Sequence, residues 1–275
     1  MSRVLYEQDV KRRILALRED LVRHDENAAA MHLMEHCVPF FLAGDMEIRV
    51  VREQQREMCL HLTDAEAYAR YYATNVHERP FEEQYPGATV DNAHEVFHRV
   101  AFLRAGLLKQ RFVGENPRVL DVSCNDGWMA ANLALAGYRC DGIDLNPDCI
   151  ARAKVRAASL ERMGEFEVRD FTDYAVEPSS LHEAVACFET IEHVANPVLA
   201  MVALQQLVAL EGRLYVSTPN GVDHNGDLPG WDHVEPKGHV RVYTPETFAA
   251  LLQRFGTIER MEQGPDRVMV AEVSL

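Results

Sequence analysis

The sequence predicts an α/β protein: a mostly parallel sheet of seven strands with a reversed last strand, preceded by a mainly helical N-terminal region. Three observations carry this expectation. From Arg118 onward short apolar strands alternate with helices, a pattern that requires crossover connections and therefore parallel pairing. Within that half, Arg118-Val-Leu-Asp121-Val-Ser123-Cys-Asn125-Asp126-Gly127 and then Asp141-Gly-Ile-Asp144-Leu-Asn146 spell strand, tight loop, helix, strand and acid, which is a Rossmann-like order. Near the end, two strand-like segments are separated only by Gln263-Gly264-Pro265-Asp266. A connection of that length cannot carry a crossover, so those two strands must be antiparallel.

Taken in order, Val10, Ile14, Leu17 and Leu21 recur at helical spacing within 8–22, and a second helical run over 28–37 is ended by Pro39. The segment 45–62 is ambiguous between strand and helix. Thr63-Asp-Ala-Glu66 reads as a helix start with a capping-box glutamate, leading into Tyr68, Tyr71 and Tyr72. A turn-rich linker follows from Arg79 to Gly87, and 91–111 resumes a helix that leans on the core. Strands are then expected near 118–122, 139–144, 165–169, 184–188, 212–217, 256–262 and 267–273, with helices near 127–136, 147–162, 196–209 and 245–254. The chain thus divides into a mainly helical part, 1–110, and an α/β domain, 111–275. The helical part reads as a lid or substrate region, or as a homodimer interface.

Composition narrows the function. With 275 residues, 47% of them hydrophobic, the chain can bury a sizeable core of about 150 to 180 residues beside an accessory region. No apolar run approaches the roughly 18 residues of a membrane span and no charged, apolar and small-residue leader opens the chain, so a cytoplasmic location is expected. The six cysteines (Cys37, Cys59, Cys124, Cys140, Cys149 and Cys187) are scattered without CxxC spacing, as buried thiols in a reducing compartment would be. A net charge of −15 argues against long nucleic acid as a partner and favours a small-molecule or saccharide substrate.

An acid closing the second strand about twenty residues after a tight loop is placed to accept the two hydroxyls of a ribose. Asp144 has that position and points to an adenosine-containing cofactor; its other reading is a helix N-cap before Pro147. Asp121, at the end of the first strand, would repel a pyrophosphate but suits an ammonium or sulfonium group. This arrangement resembles motif I of the class I S-adenosylmethionine-dependent methyltransferases, in which an acid is followed by alternating glycines. Here Ser123 and Asn125 replace two of them, and Gly127 is the third. Both substitutes are small enough for a sharp turn, and Asn tolerates a left-handed backbone. The resemblance implies that Asp121, Ser123, Asn125, Gly127 and Asp144 hold S-adenosylmethionine. It also implies that Asp170 meets the adenine amino group, where the other reading is a solvated turn residue. Leu145 and Phe171 would flank the adenine ring with Phe188 nearby, unless they are plain packing.

A second constellation lies beyond the fourth and fifth strands: Phe188-Glu189-Thr-Ile-Glu192-His193, Ser217-Thr-Pro219-Asn220 and Gly238-His239-Val-Arg241. Ligands sit at strand C-termini in open α/β sheets. Glu189, Glu192, His193 and His239 therefore form a candidate site for a divalent cation such as Mg²⁺, Mn²⁺ or Zn²⁺, which would lower the pKa of a bound hydroxyl. Without metal, His193 serves as general base or substrate ligand; on a third reading the glutamates cap the following helix. The Glu-x-x-Glu-His spacing resembles the ubiquinone-biosynthesis O-methyltransferases and the small-RNA 2′-O-methyltransferases. The first expectation is an O-methyltransferase of a small or saccharide-type acceptor. Methyl transfer to nitrogen or carbon, or a non-catalytic cofactor-binding protein, are the alternatives. The 223–235 loop with Trp231, and the series Tyr68, Tyr71, Tyr72, Phe81 and Tyr85, are candidates to roof the site.

Overall fold

The C-terminal half holds the seven strands that its periodicity implies. The structure is a computed structural model describing residues 80, 83, 97–109, 117–173, 181–194, 197–221, 243–265 and 267–275. The expected elements between 8 and 72, the linker around 79–87 apart from Pro80 and Glu83, and the 223–235 loop lie outside the described residues. Helix α1 (His98–Lys109) falls within the expected 91–111 run. The remaining elements are β1 (Arg118–Val122), α2 (Trp128–Leu135), β2 (Arg139–Asp144), α3 (Pro147–Ala157), β3 (Met163–Val168), β4 (His182–Cys187), α4 (Pro197–Leu207), β5 (Val208–Pro219), α5 (Pro245–Gln253), β6 (Thr257–Gln263) and β7 (Val268–Ser274).

All seven strands join one sheet in the order β3-β2-β1-β4-β5-β7-β6. β1 pairs parallel with β2 and with β4, β2 with β3, and β4 with β5. β7 runs antiparallel to β6, as the short connection requires. The chain order reverses between β1 and β4, which makes the C-terminal ends of those strands the switch point where such sheets bind ligands.

Two of the boundary differences from the sequence expectation have tertiary reasons. α3 stops at Ala157, five residues before the expected end, because a turn with Met163 N–H donating to Leu160 C=O redirects the chain into β3. β5 begins at Val208, where α4 was expected to continue, and is drawn into the sheet by pairing of Val208 with His182.

The described residues form two compact units. The sheet unit comprises described residues within 77–191, 199–218 and 252–275; the other comprises those within 192–198 and 219–251. In the sheet unit, Leu103, Leu107, Trp128, Leu133, Ile150, Phe166 and Tyr215 lie in one buried cluster. Each such side chain contributes about 1.5–3 kcal/mol on burial. Trp128 meets Phe97 edge-on with ring centroids 5.3 Å apart. α1 is tied to the sheet by Arg260 of β6, whose guanidinium lies 3.5 Å from the Phe102 ring centroid and donates to Phe102 C=O at 2.7 Å. In the other unit, Asn220 bridges to Tyr243, and Thr244 caps α5 by accepting from Thr247 N–H at 3.2 Å. No helix among the described residues is long and apolar enough to cross a membrane.

Candidate cofactor site and active site

The loop after β1 has the left-handed backbone that the spacing of its small residues implies. Ser123 (φ 62°), Asn125 (φ 49°) and Gly127 (φ 75°) alternate in that region. For an L-residue such as Ser123 the conformation costs about 1–2 kcal/mol, less for Asn, so neighbouring groups must hold it. Cys124 N–H donates to Ile143 C=O at 3.0 Å and Gly127 N–H to Cys124 C=O at 2.9 Å. Asn125 N–H donates to Asp144 Oδ2 at 2.9 Å. Gly142, on the neighbouring strand, leaves room for the loop: a Cβ there would lie 2.5 Å from Phe166 and 2.8 Å from the Cys124 sulfur and would force those side chains to shift.

Asp144 thus ends β2 at the edge of this loop, and its other oxygen accepts from Asn146 N–H at 2.8 Å. The N-cap of α3 is Asn146, whose side chain accepts from Asp148 and Cys149 N–H, so the capping reading of Asp144 is set aside. A carboxylate offers about four lone-pair sites, so Asp144 keeps acceptor capacity beyond these main-chain bonds for the hydroxyls of a ribose diol. Burial pushes the Asp144 carboxyl above the usual range, opposed by the hydrogen bonds from Asn146 and Asn125. Asp121 is 4% exposed, and burial, then the charge of Asp144, raises its pKa well above the ordinary value. Two acidic side chains towards the C-terminal ends of the neighbouring parallel strands β1 and β2 suit a cationic ligand group, so this acceptor set fits S-adenosylmethionine.

Asp170 lies just beyond β3, where its Oδ1 accepts from Thr172 N–H at 2.9 Å and from the Thr172 hydroxyl at 2.7 Å. It is thereby a turn residue, and the turn orients the rest of its carboxylate. Phe171 is buried, while Leu145 and Phe188 are half-buried. Beyond β4, Glu189 takes a left-handed backbone (φ 49°) and is held by one residue of β5. Its N–H donates to Ser217 Oγ at 3.1 Å and to Ser217 C=O at 3.2 Å, and the Ser217 hydroxyl donates to Glu189 Oε1 at 2.8 Å.

In the other unit, Glu192 is 1% exposed and its Oε1 is 3.8 Å from Nε2 of the half-buried His193. Among the described residues no three His, Cys, Asp or Glu side chains are gathered as a metal ion would need, so Glu189, Glu192 and His193 do not make such a group. His239, the fourth expected ligand, lies outside the described residues.

Two supporting contacts escaped the sequence reading. Asp126 and Arg156 form a buried ion pair at 3.1 Å across 30 positions, and Ser217 anchors Glu189 across 28. Their residue types were visible inside or near the motifs, but no spacing rule links partners that distant.

A doubly wound sheet with a left-handed loop after its first strand and an acid closing its second is the architecture of the class I methyltransferases. Residues 88–257, more than half of the chain, match the methyltransferase domain family. The chain belongs to that family, within the S-adenosylmethionine-dependent superfamily that its loop and acids resemble. Among curated relatives, the ubiquinone biosynthesis O-methyltransferase of Xanthomonas oryzae pv. oryzae is 28% identical over 130 residues, 47% of this chain and 54% of that protein. The protein of the same name from Xylella fastidiosa is 31% identical over 123 residues, 45% of this chain and 50% of that protein. The chain thus spans about half the length of these relatives. Among solved structures, a protein from Pyrococcus horikoshii OT3 superposes with a TM-score of 0.54 at 19% identity, covering 72% of this chain and 99% of that one. Magnesium protoporphyrin IX methyltransferase from Synechocystis PCC 6803, solved with bound S-adenosylmethionine, gives 0.51 at 18% identity, covering 77% and 97%. At these identities the superpositions speak to the fold.

Proposed function

We propose that the protein transfers a methyl group from S-adenosylmethionine to a hydroxyl oxygen of a small-molecule acceptor. The observation that carries this reading is the juxtaposition, on one sheet edge, of the Ser123–Gly127 loop, Asp144 and the anchored Glu189, in a chain similar to proteins named O-methyltransferases. When bound, the cofactor supplies an electrophilic methyl group. Asp121, Ser123, Asn125, Gly127, Asp144 and Asp170 hold it, with Leu145, Phe171 and Phe188 around its adenine. In-line transfer asks the protein mainly for alignment and for a hydroxyl relieved of its proton. His193, beside the Glu192 carboxylate, is the base we assign to that proton, and Glu189 orients the acceptor hydroxyl.

Metal assistance through Glu189, Glu192, His193 and His239 is the other form the sequence pattern offered, and the described members of that set are not gathered as a metal ion would need. One experiment addresses both: formation of S-adenosylhomocysteine from S-adenosylmethionine, measured across a panel of small phenols, catechols, sugars and amines, with and without Mn²⁺ and chelator. The expected result is turnover on hydroxyl acceptors that survives chelation and falls about 100-fold or more in His193→Ala. Turnover confined to amines would overturn the O-transfer reading. Loss of turnover with chelator would replace His193 by the metal as the activating group.

A further inference from the structure

The loop between β1 and α2 departs from the all-glycine pattern at the two positions where glycine would be conformationally easiest. Ser123 and Asn125 hold left-handed backbone conformations there, and strained residues persist where the surroundings over-determine them. Most of the restraint comes from the strands beside the loop: Ile143 C=O takes Cys124 N–H and Asp144 takes Asn125 N–H. A restraint from the opposite side comes from α3. Arg156, in the last turn of that helix, donates through Nε to Asp126 C=O at 3.2 Å and through a terminal nitrogen to Asp126 Oδ2 at 3.1 Å. The Asp126 side chain is 2% exposed and that of Arg156 19% exposed. A guanidinium that grips a main-chain carbonyl and a carboxylate of one residue fixes both the peptide plane and the side chain, which a lysine ammonium cannot do with the same geometry.

We propose that Arg156 is a positioning residue for cofactor binding: it clamps Asp126 and so holds Asn125 and Gly127, on either side of it, in the conformation the cofactor meets. The proposal rests on the reading of this loop as the cofactor site. α3 then acts as a brace with two attachments. At its N-terminus Asn146, the capping residue, binds Asp144 through its N–H, and at its C-terminus Arg156 binds the loop that Asp144 also binds. The ribose acid and the loop are thereby fixed to one rigid element, although Arg156 lies thirty residues from Asp126.

The test is calorimetric titration of S-adenosylhomocysteine into the full chain, comparing wild type, Arg156→Ala, Arg156→Lys and Arg260→Ala. The last variant breaks the Arg260–Glu272 pair elsewhere in the sheet unit and controls for lost stability. The expected result is a Kd raised tenfold or more in Arg156→Ala, an intermediate rise in Arg156→Lys, and a wild-type Kd in Arg260→Ala at a comparable melting temperature. If Arg156→Ala does not fold, Arg156→Gln, which retains a donor, takes its place in the comparison. A Kd within twofold of wild type in the folded Arg156 variants overturns the clamp while leaving the cofactor reading intact. Equal weakening in Arg156→Ala and Arg260→Ala also overturns it, because general destabilisation would then account for the loss. Failure of the wild-type chain to bind S-adenosylhomocysteine overturns the cofactor reading, and the clamp with it.

Discussion

Replacing Asp144 by Asn tests the cofactor site at the point where most of its geometry meets. The substitution conserves shape but exchanges one acceptor oxygen for an amide donor. In the structure one Asp144 oxygen accepts from Asn125 N–H at 2.9 Å and the other from Asn146 N–H at 2.8 Å, so the new NH₂ must face one of these donors. The lost main-chain bond costs about 1 kcal/mol, and loss of one charge-assisted bond to a ribose hydroxyl costs a further 1.5–3 kcal/mol. The first cost falls on the fold in the free and bound states alike, so the ribose term sets the loss of affinity, roughly 10- to 150-fold in Kd for S-adenosylhomocysteine. Calorimetry at pH 7.5 measures the change directly. A 2′-deoxy analogue sharpens it: wild type should discriminate against the analogue, whereas Asp144→Asn should discriminate much less. Because burial raises the Asp144 pKa, wild-type affinity should also weaken as pH falls toward the carboxylate range, with the onset above pH 4. A Kd for Asp144→Asn within threefold of wild type would refute the assignment of Asp144 as the ribose acid.

Two predictions concern stability. The folded state raises the Asp121 pKa well above that of the unfolded chain, so between those two values folding takes up a proton and stability falls as pH rises. Asp121→Asn, which is isosteric and neutral, should therefore melt higher than wild type at pH 8 without ligand, by about 2–4 °C for a gain on the order of 1 kcal/mol, with the difference disappearing below about pH 4. Asp141 behaves in the opposite sense. Burial alone would raise its pKa, but hydrogen bonds from His182, Glu165 N–H and Arg118 hold it well below the usual carboxylate range. Its contribution to stability is present above the unfolded pKa of about 3.9 and declines as pH falls below it. Asp141→Asn should cost about 3 kcal/mol at pH 7 and progressively less toward pH 2, as measured by urea denaturation.

Much of the sheet was legible in the sequence because local and tertiary demands agree there. Val119, Leu120 and Val122 are apolar, strand-forming and buried, and the β1 and β2 boundaries coincide with the expected ones. The reversed final strand followed from a connection too short to cross over. The end of α3 was not legible, since Ala158, Leu160 and Glu161 are all acceptable in a helix. The stop comes from the requirement that Met163 begin pairing with Cys140. At the site, the left-handed loop could be inferred from small residues at alternate positions, and Asp144 from its distance to them. The anchoring of Glu189 by Ser217 and the clamp of Arg156 on Asp126 could not, because the folded sheet, not the chain, makes those residues neighbours.

The position of β7 has a consequence for how the sheet is completed during synthesis. β6 precedes β7 in the chain but touches the rest of the sheet only through it, since β7 lies between β5 and β6. On the ribosome β6 therefore emerges before the strand that joins it to the sheet. The connection between them is tight, with Gly264 N–H donating to Val268 C=O at 2.9 Å and Arg267 at φ 64°. Hairpins with turns of this kind close in about 1–10 μs, far faster than translation delivers residues. The last two strands can therefore pair with each other before β7 docks on β5, and until it docks, the β5 strand that holds Glu189 through Ser217 is an open margin of an incomplete sheet.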